Sequence, residues 1–142
     1  MKKSILLLLF LFVASCVSLN NNFEGYYWRL VSIEGEDVPT FDNALQSKKN
    51  AHIIFQSNDR IAGFSSCNAI NARFTREKNV THFVGVVATK NKCTPTQAKI
   101  EQNFIAFLKL SEYMIINGNT LTIYNKNKDI MLIFKKEEII NK

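Results

Sequence analysis

Arg60-Ile61-Ala62-Gly63-Phe64-Ser65-Ser66-Cys67-Asn68 is the stretch on which the fold of this chain turns. Apolar and aromatic residues around a glycine give way to Ser-Ser-Cys-Asn, so a short strand runs into a bend. A second cysteine, Cys93, stands at the mouth of a well-marked helix. Cys67 and Cys93 are therefore a candidate disulfide clamp between bend and helix, with two ordinary buried thiols as the alternative. A bridge closing about 26 residues would stabilise by roughly 3.5 kcal/mol in the chain-entropy description.

Upstream, Tyr26 to Ile33 is aromatic and β-branched and reads as the first strand, with Tyr26, Trp28 and Leu30 on one face. Glu34 to Asp37 turns the chain, and Pro39 to Lys49 is a polar surface loop with a short helical turn expected around Asn43 to Ser47. His52 to Gln56 and Arg60 to Phe64 flank the turn-rich Ser57-Asn58-Asp59 and form a hairpin. Downstream, Ala69 to Thr75 and Val80 to Val87 make a further pair through Arg76-Glu77-Lys78-Asn79.

Thr94-Pro95-Thr96-Gln97 then marks a helix start: Thr94 can cap, Pro95 suits the first helical position and Gln97 completes a capping box. Ile100, Phe104, Phe107 and Leu108 share one helical face. Asn117-Gly118-Asn119 predicts a tight hairpin between Tyr113 to Ile116 and Thr120 to Tyr124, with positive φ angles at Asn117-Gly118, and Ile130 to Phe134 is a last strand. About eight short strands with one helix exclude a parallel βαβ sheet. The fold class is mainly β: a curved antiparallel sheet or lipocalin-like small β-barrel packed by a single helix.

The chain has 142 residues, 46% hydrophobic, with eleven Phe and four Tyr, enough for one packed domain. Met1-Lys2-Lys3 followed by the apolar run Ile5 to Val13 has the form of a secretory signal, too short to span a bilayer. The run ends in Val13-Ala14-Ser15-Cys16, the pattern of a bacterial lipobox, in which the cysteine is acylated before cleavage on its N-terminal side. An ordinary signal peptide with an incidental Cys16 is the alternative. Residues 1–15 are thus read as signal peptide, 16–24 as a lipidated tether rich in Asn, 25–136 as the domain and 137–142 as a charged tail. Loss of Lys2 and Lys3 takes the net charge from +6 to +4, with 16 basic against 12 acidic residues, and the cations are scattered. Such a surface suits anionic lipid or glycan better than nucleic acid.

Early Trp28 and Leu30, then Ile53 and Phe55, then Gly63 ahead of Cys67-Asn68, Thr89 ahead of Cys93, and Glu101 in the helix are together the pattern of a known family. The chain resembles the META domain family, which includes HslJ-like heat-shock lipoproteins. Ser66 stands where that family usually has Gly before Cys-Asn, and Lys90-Asn91-Lys92 replaces a commonly small or Met-containing run. The resemblance implies a lipocalin-like barrel with one helix, in envelope or secreted proteins linked to stress and drug tolerance, and it brings no enzymatic activity.

No catalytic constellation is legible. Neither His52 nor His82 is placed by a motif to act as base for a cysteine, and a zinc site from these histidines with Cys67 and Cys93 lacks the usual ligand spacing. Both histidines are expected on polar strand faces. Asn68 and Asn71 flank the bend and either orient a ligand or bond local backbone; Glu101 either accepts bonds from the sheet or is solvated. No metal, cofactor or nucleic acid is expected, and the chain is read as a monomer. The functional expectation is a non-enzymatic envelope lipoprotein, membrane-attached through Cys16 at the periplasmic face of the outer membrane. It would be an accessory or binding module with an envelope protein partner, supporting membrane integrity under stress. The alternative is an inhibitor of a periplasmic or host hydrolase such as lysozyme.

Overall fold

Alternation of buried and outward residues builds the strands of the computed structural model, which describes residues 23–40 and 49–137. In β1 (Tyr27–Ile33), Trp28 and Leu30 point inward while Tyr27, Arg29 and Val31 do not. The same period sends Ile53 and Phe55 of β3 (His52–Gln56), and Ile70, Ala72 and Phe74 of β5 (Ala69–Glu77), into the core. The remaining elements are β2 (Glu36–Asp37), β4 (Arg60–Phe64), β6 (Val80–Ala88), α1 (Pro95–Lys109), β7 (Tyr113–Asn117), β8 (Thr120–Tyr124) and β9 (Ile130–Glu137).

All pairings between these strands are antiparallel, in the order β2-β1-β3-β4-β5-β6-β7-β8-β9, and β9 pairs back onto β1. The nine-stranded sheet is therefore curved into a ring of hydrogen bonds, though not a regular barrel. Its weak seam lies between β6 and β7, where Val80 opposite Tyr113 is the one register pair. Extra residues supply the curvature. β1 carries one at Val31, between Leu30 and Ser32, and β6 carries another where Gly85 takes φ +63. Gly63 has a different reason. A Cβ there would lie 2.2 Å from the His52 carbonyl oxygen on the paired strand, so only glycine permits this approach.

The helix forms as its cap dictates. Thr94 Oγ1 accepts from Gln97 N–H, and Gln97 Oε1 accepts from Thr94 N–H at 3.0 Å, with Pro95 at the first turn. Phe104 and Leu108 are fully buried, while Ile100 and Phe107 pack half-buried against the core. Burying Phe104 and Leu108 contributes about 5 kcal/mol before entropy is counted. The ring of Phe104 meets Phe134 of β9 at 5.8 Å. A second aromatic group of Phe23, Phe55, Phe74 and Phe83 fills another part of the core.

Several boundaries differ from the sequence expectation. Phe23 and Glu24, at the end of the stretch read as tether, join the fold: Phe23 packs on Phe55 and accepts a bond from Trp28 Nε1, and Glu24 bridges to Phe55. The β7–β8 turn is Gly118-Asn119, one residue later than expected, because Asn117 already pairs with Thr120. β9 runs on through the charged residues to Glu137, opposite Tyr27, because β1 supplies backbone partners that far. The signal peptide, Cys16, the helical turn expected around Asn43 to Ser47 and the tail beyond Glu137 lie outside the described residues.

Candidate functional site

Ser65 to Asn68 close a tight bend after β4, with Ser65 N–H donating to the Asn68 carbonyl at 2.8 Å. Ser66 sits in it at φ +89 and Asn68 is 2% exposed. The bend turns the Asn68 side chain toward the end of β6 and the start of α1, which Gln97 Nε2 ties down by donating to the Ser66 carbonyl at 3.0 Å.

Every hydrogen-bonding position of the Asn68 amide is used. Its Nδ2 donates to Glu101 Oε1 at 2.9 Å and lies 3.5 Å from the Cys93 sulfur. Its Oδ1 accepts from Thr89 Oγ1 at 3.0 Å and from Asn91 N–H at 2.7 Å. The backbone N–H at Asn91 fixes the amide's orientation, since it can only face an oxygen. Thr89 Oγ1 in turn accepts from Ala69 N–H at 3.2 Å. The second oxygen of Glu101 is bonded by the Ser65 hydroxyl, which is itself completely buried.

Cys67 and Cys93 are joined as a disulfide beside this network, with Cα atoms 5.7 Å apart, inside the range that bridges require. Cys67, Cys93 and Glu101 are the one group of three potential metal ligands among the described residues, all within 4.8 Å of one another. Both sulfurs are engaged in the bridge, so no thiolate is offered to a metal. Neither histidine belongs to the group, which removes the geometry the zinc reading needed.

Cys67, Asn68, Thr89, Cys93 and Glu101 thus converge on one place, while Gly63 lies against β3 and Trp28 and Leu30 lie in the core. Asn71 is not among them; it is exposed on β5. Chemically the arrangement is a clamp. It fastens the β4–β5 bend, the chain after β6 and the first half of α1 by a covalent bond and a chain of hydrogen bonds. The roles of Ser65 and Asn91 could not be anticipated, because neither carries a spacing signal.

A model of the META domain matches residues 21–138. The chain belongs to the META domain family. Solved structures share the fold at low identity. One determined by NMR superimposes at TM-score 0.64 with 21% identity, over 84% of this chain and 95% of its own. An NMR structure of a protein from Burkholderia xenovorans gives TM-score 0.62 and 16% identity, over 81% and 83%. The crystal structure of a DUF4847 family protein from Bacteroides vulgatus gives TM-score 0.59 and 13% identity, over 82% and 96%. No curated protein matches in sequence.

Elsewhere on the META domain, the two histidines differ. His52 was expected on a polar face but is stacked on Tyr27, with centroids 4.2 Å apart, and its Nδ1 meets the Asn50 carbonyl at 2.7 Å. Burial pushes its imidazole below the ordinary value, against an opposing pull from the Asn50 carbonyl and Glu137. The Tyr27 phenol is pushed up to about 12, by burial first and by Glu137 second. His82 is exposed, with Nδ1 3.2 Å from the Ser111 carbonyl. No described helix is long and apolar enough to cross a membrane.

Proposed function

We propose that this META domain protein is a non-enzymatic lipoprotein of the bacterial envelope, an accessory or binding module held at a membrane through Cys16. The observation that carries the reading is the use of the family's polar residues. Asn68, Thr89 and Glu101 are engaged with one another and with backbone, and the two cysteines with each other, which makes the family signature a fastening of the fold. The disulfide fits an oxidising compartment. The charged start, apolar run and Val13-Ala14-Ser15-Cys16 supply the address, and two acyl chains suffice for stable anchoring.

The test is metabolic labelling with a fatty-acid analogue, with crosslinking in intact cells followed by mass spectrometry. Label should depend on Cys16, and an envelope protein should be captured reproducibly. Label retained by Cys16→Ala would remove the anchor from the reading. Stoichiometric inhibition of lysozyme by the purified protein would replace the accessory role with that of a hydrolase inhibitor.

A further inference from the structure

The β6–β7 seam opens into a groove of about 680 Å³, within the span of roughly 300–1,000 Å³ usual for small-molecule sites. We propose that this groove binds a phosphorylated sugar. The proposal stands apart from the anchor and from any protein partner.

Two tyrosines line the groove. Tyr113 of β7 and Tyr124 of β8 are direct cross-strand partners, and both side chains are half-buried in its lining. Ile115, two residues on from Tyr113, continues this face and is 42% exposed. An aromatic pair with one apolar side and open hydroxyls is the surface on which the C–H face of a pyranose stacks, because it offers flat apolar contact without removing sugar hydroxyls from water.

Two lysines form the rim, and their backbone marks them. Lys78 lies at φ +57 in the β5–β6 turn and Lys128 at φ +66 in the β8–β9 turn, and both line the groove. Glycine, asparagine and aspartate are the residues at ease in that conformation. The neighbouring β3–β4 turn obeys the rule with Asn58 and Asp59. In both groove turns lysine occupies the left-handed position instead; Glu34 does so in the β1–β2 turn, and what sets the two lysines apart is that both stand at one groove.

Both turns are also held rigid. Arg76 Nε donates to the Lys78 carbonyl at 3.0 Å. Asn125 Oδ1 accepts from Asn127 N–H and Asp129 N–H, both at 2.9 Å, around Lys128. Among the described residues neither lysine is in an ion pair. Two lysines from separate turns thus line the same groove as the tyrosine pair, which suits one anionic substituent on a stacked ring, while Glu77 in the same lining supplies an acceptor for ring hydroxyls.

Titration calorimetry on the full chain, kept in a polyoxyethylene ether detergent that carries no sugar, tests this with four probes: glucose 1-phosphate, glucose, inorganic phosphate and an acidic hexapeptide. Glucose 1-phosphate should bind about tenfold or more tightly than glucose or phosphate alone. The Lys78→Gly, Lys128→Gly double variant should bind glucose 1-phosphate no better than glucose, while its Tm stays level or rises because the left-handed positions are relieved. Tyr124→Leu should weaken both sugars. Phosphate binding as tightly as glucose 1-phosphate would overturn the proposal in favour of a plain anion surface. Glucose binding equally would show the lysines idle, capture of the hexapeptide alone would make the groove a strand-addition edge, and no binding by any probe would refute the site outright.

Discussion

Replacing Asn68 is the sharpest test of the clamp, because two substitutions at the same place must fail in different ways. Asn68→Ala removes a bond to a carboxylate, at about 1.5–3 kcal/mol, and two acceptor positions at about 1 kcal/mol each. Those losses fall on Glu101 Oε1, the Thr89 hydroxyl and the Asn91 N–H. Thr89 and Asn91 are exposed, so water can take over part of the role, and Glu101 is only half-buried. We expect a net loss of about 3 kcal/mol. Asn68→Asp keeps both acceptor bonds but sets a second carboxylate where the Nδ2 donor lay 2.9 Å from Glu101. At 4 Å and an effective dielectric near 20 the repulsion is about 4 kcal/mol, lowered by solvent at a half-buried site.

The two variants separate with pH. Crowded carboxyls hold a proton more tightly in the fold than in the unfolded chain, so the folded pKa is raised. Stability is then fully present at low pH and is lost as pH rises through the raised value. Asn68→Asp should therefore be the weaker variant at pH 7.5 and recover by pH 5, whereas the deficit of Asn68→Ala stays nearly constant. Urea unfolding followed by fluorescence is well suited, since Trp28 is the single tryptophan and is 1% exposed. A wild-type midpoint for Asn68→Ala, or identical pH profiles for the two variants, would show that the amide fastens nothing.

Three further outcomes are expected. Ser66→Gly should stabilise by about 1 kcal/mol, read as a rise in urea midpoint, because φ +89 is a conformation that glycine adopts freely. Thr81→Val should stabilise by about 1 kcal/mol in the same assay, since Thr81 Oγ1 is buried with no hydrogen-bond partner among the described residues. Burial holds the His52 pKa below its unfolded value, so the unfolded chain binds the extra proton; stability present above about pH 6.5 should be lost as pH falls. The difference between wild type and His52→Gln, measured at pH 7.5 and pH 5, isolates that contribution.

Legibility in the sequence followed the range of the interactions. The helix could be read because its cap is closed by residues three apart, Thr94 and Gln97. The β3–β4 hairpin could be read because Asn58-Asp59 sits between two apolar runs. The strand pattern predicts a curved or closed sheet, but the register at which β9 meets β1 could not be read. Trp28 pairs with Lys136 and Tyr27 with Glu137, and no local pattern tells the charged end of β9 that Tyr26 will lie under the Lys136 ammonium at 3.5 Å. The apolar stripe of α1 was legible, yet which ring goes deepest was not. Phe104 is fully buried and Phe107 only partly, because the helix meets the sheet along its 104–108 edge.

The same distinction governs what a family signature can tell. Gly63 is required because a Cβ there would lie 2.2 Å from the His52 carbonyl oxygen, Cys67 and Cys93 are required by their bridge, and Asn68 by four simultaneous contacts. Each obeys a structural rule, so each accounts for a shared fold without reporting a shared ligand. A binding residue betrays itself differently, by sitting where local rules disfavour it and no neighbour needs it there. Ser66 fails that test, for its buried bend is part of the clamp. Lys78 and Lys128 meet it, since the bonds that steady their turns run to backbone atoms and both residues line one groove with Tyr113 and Tyr124.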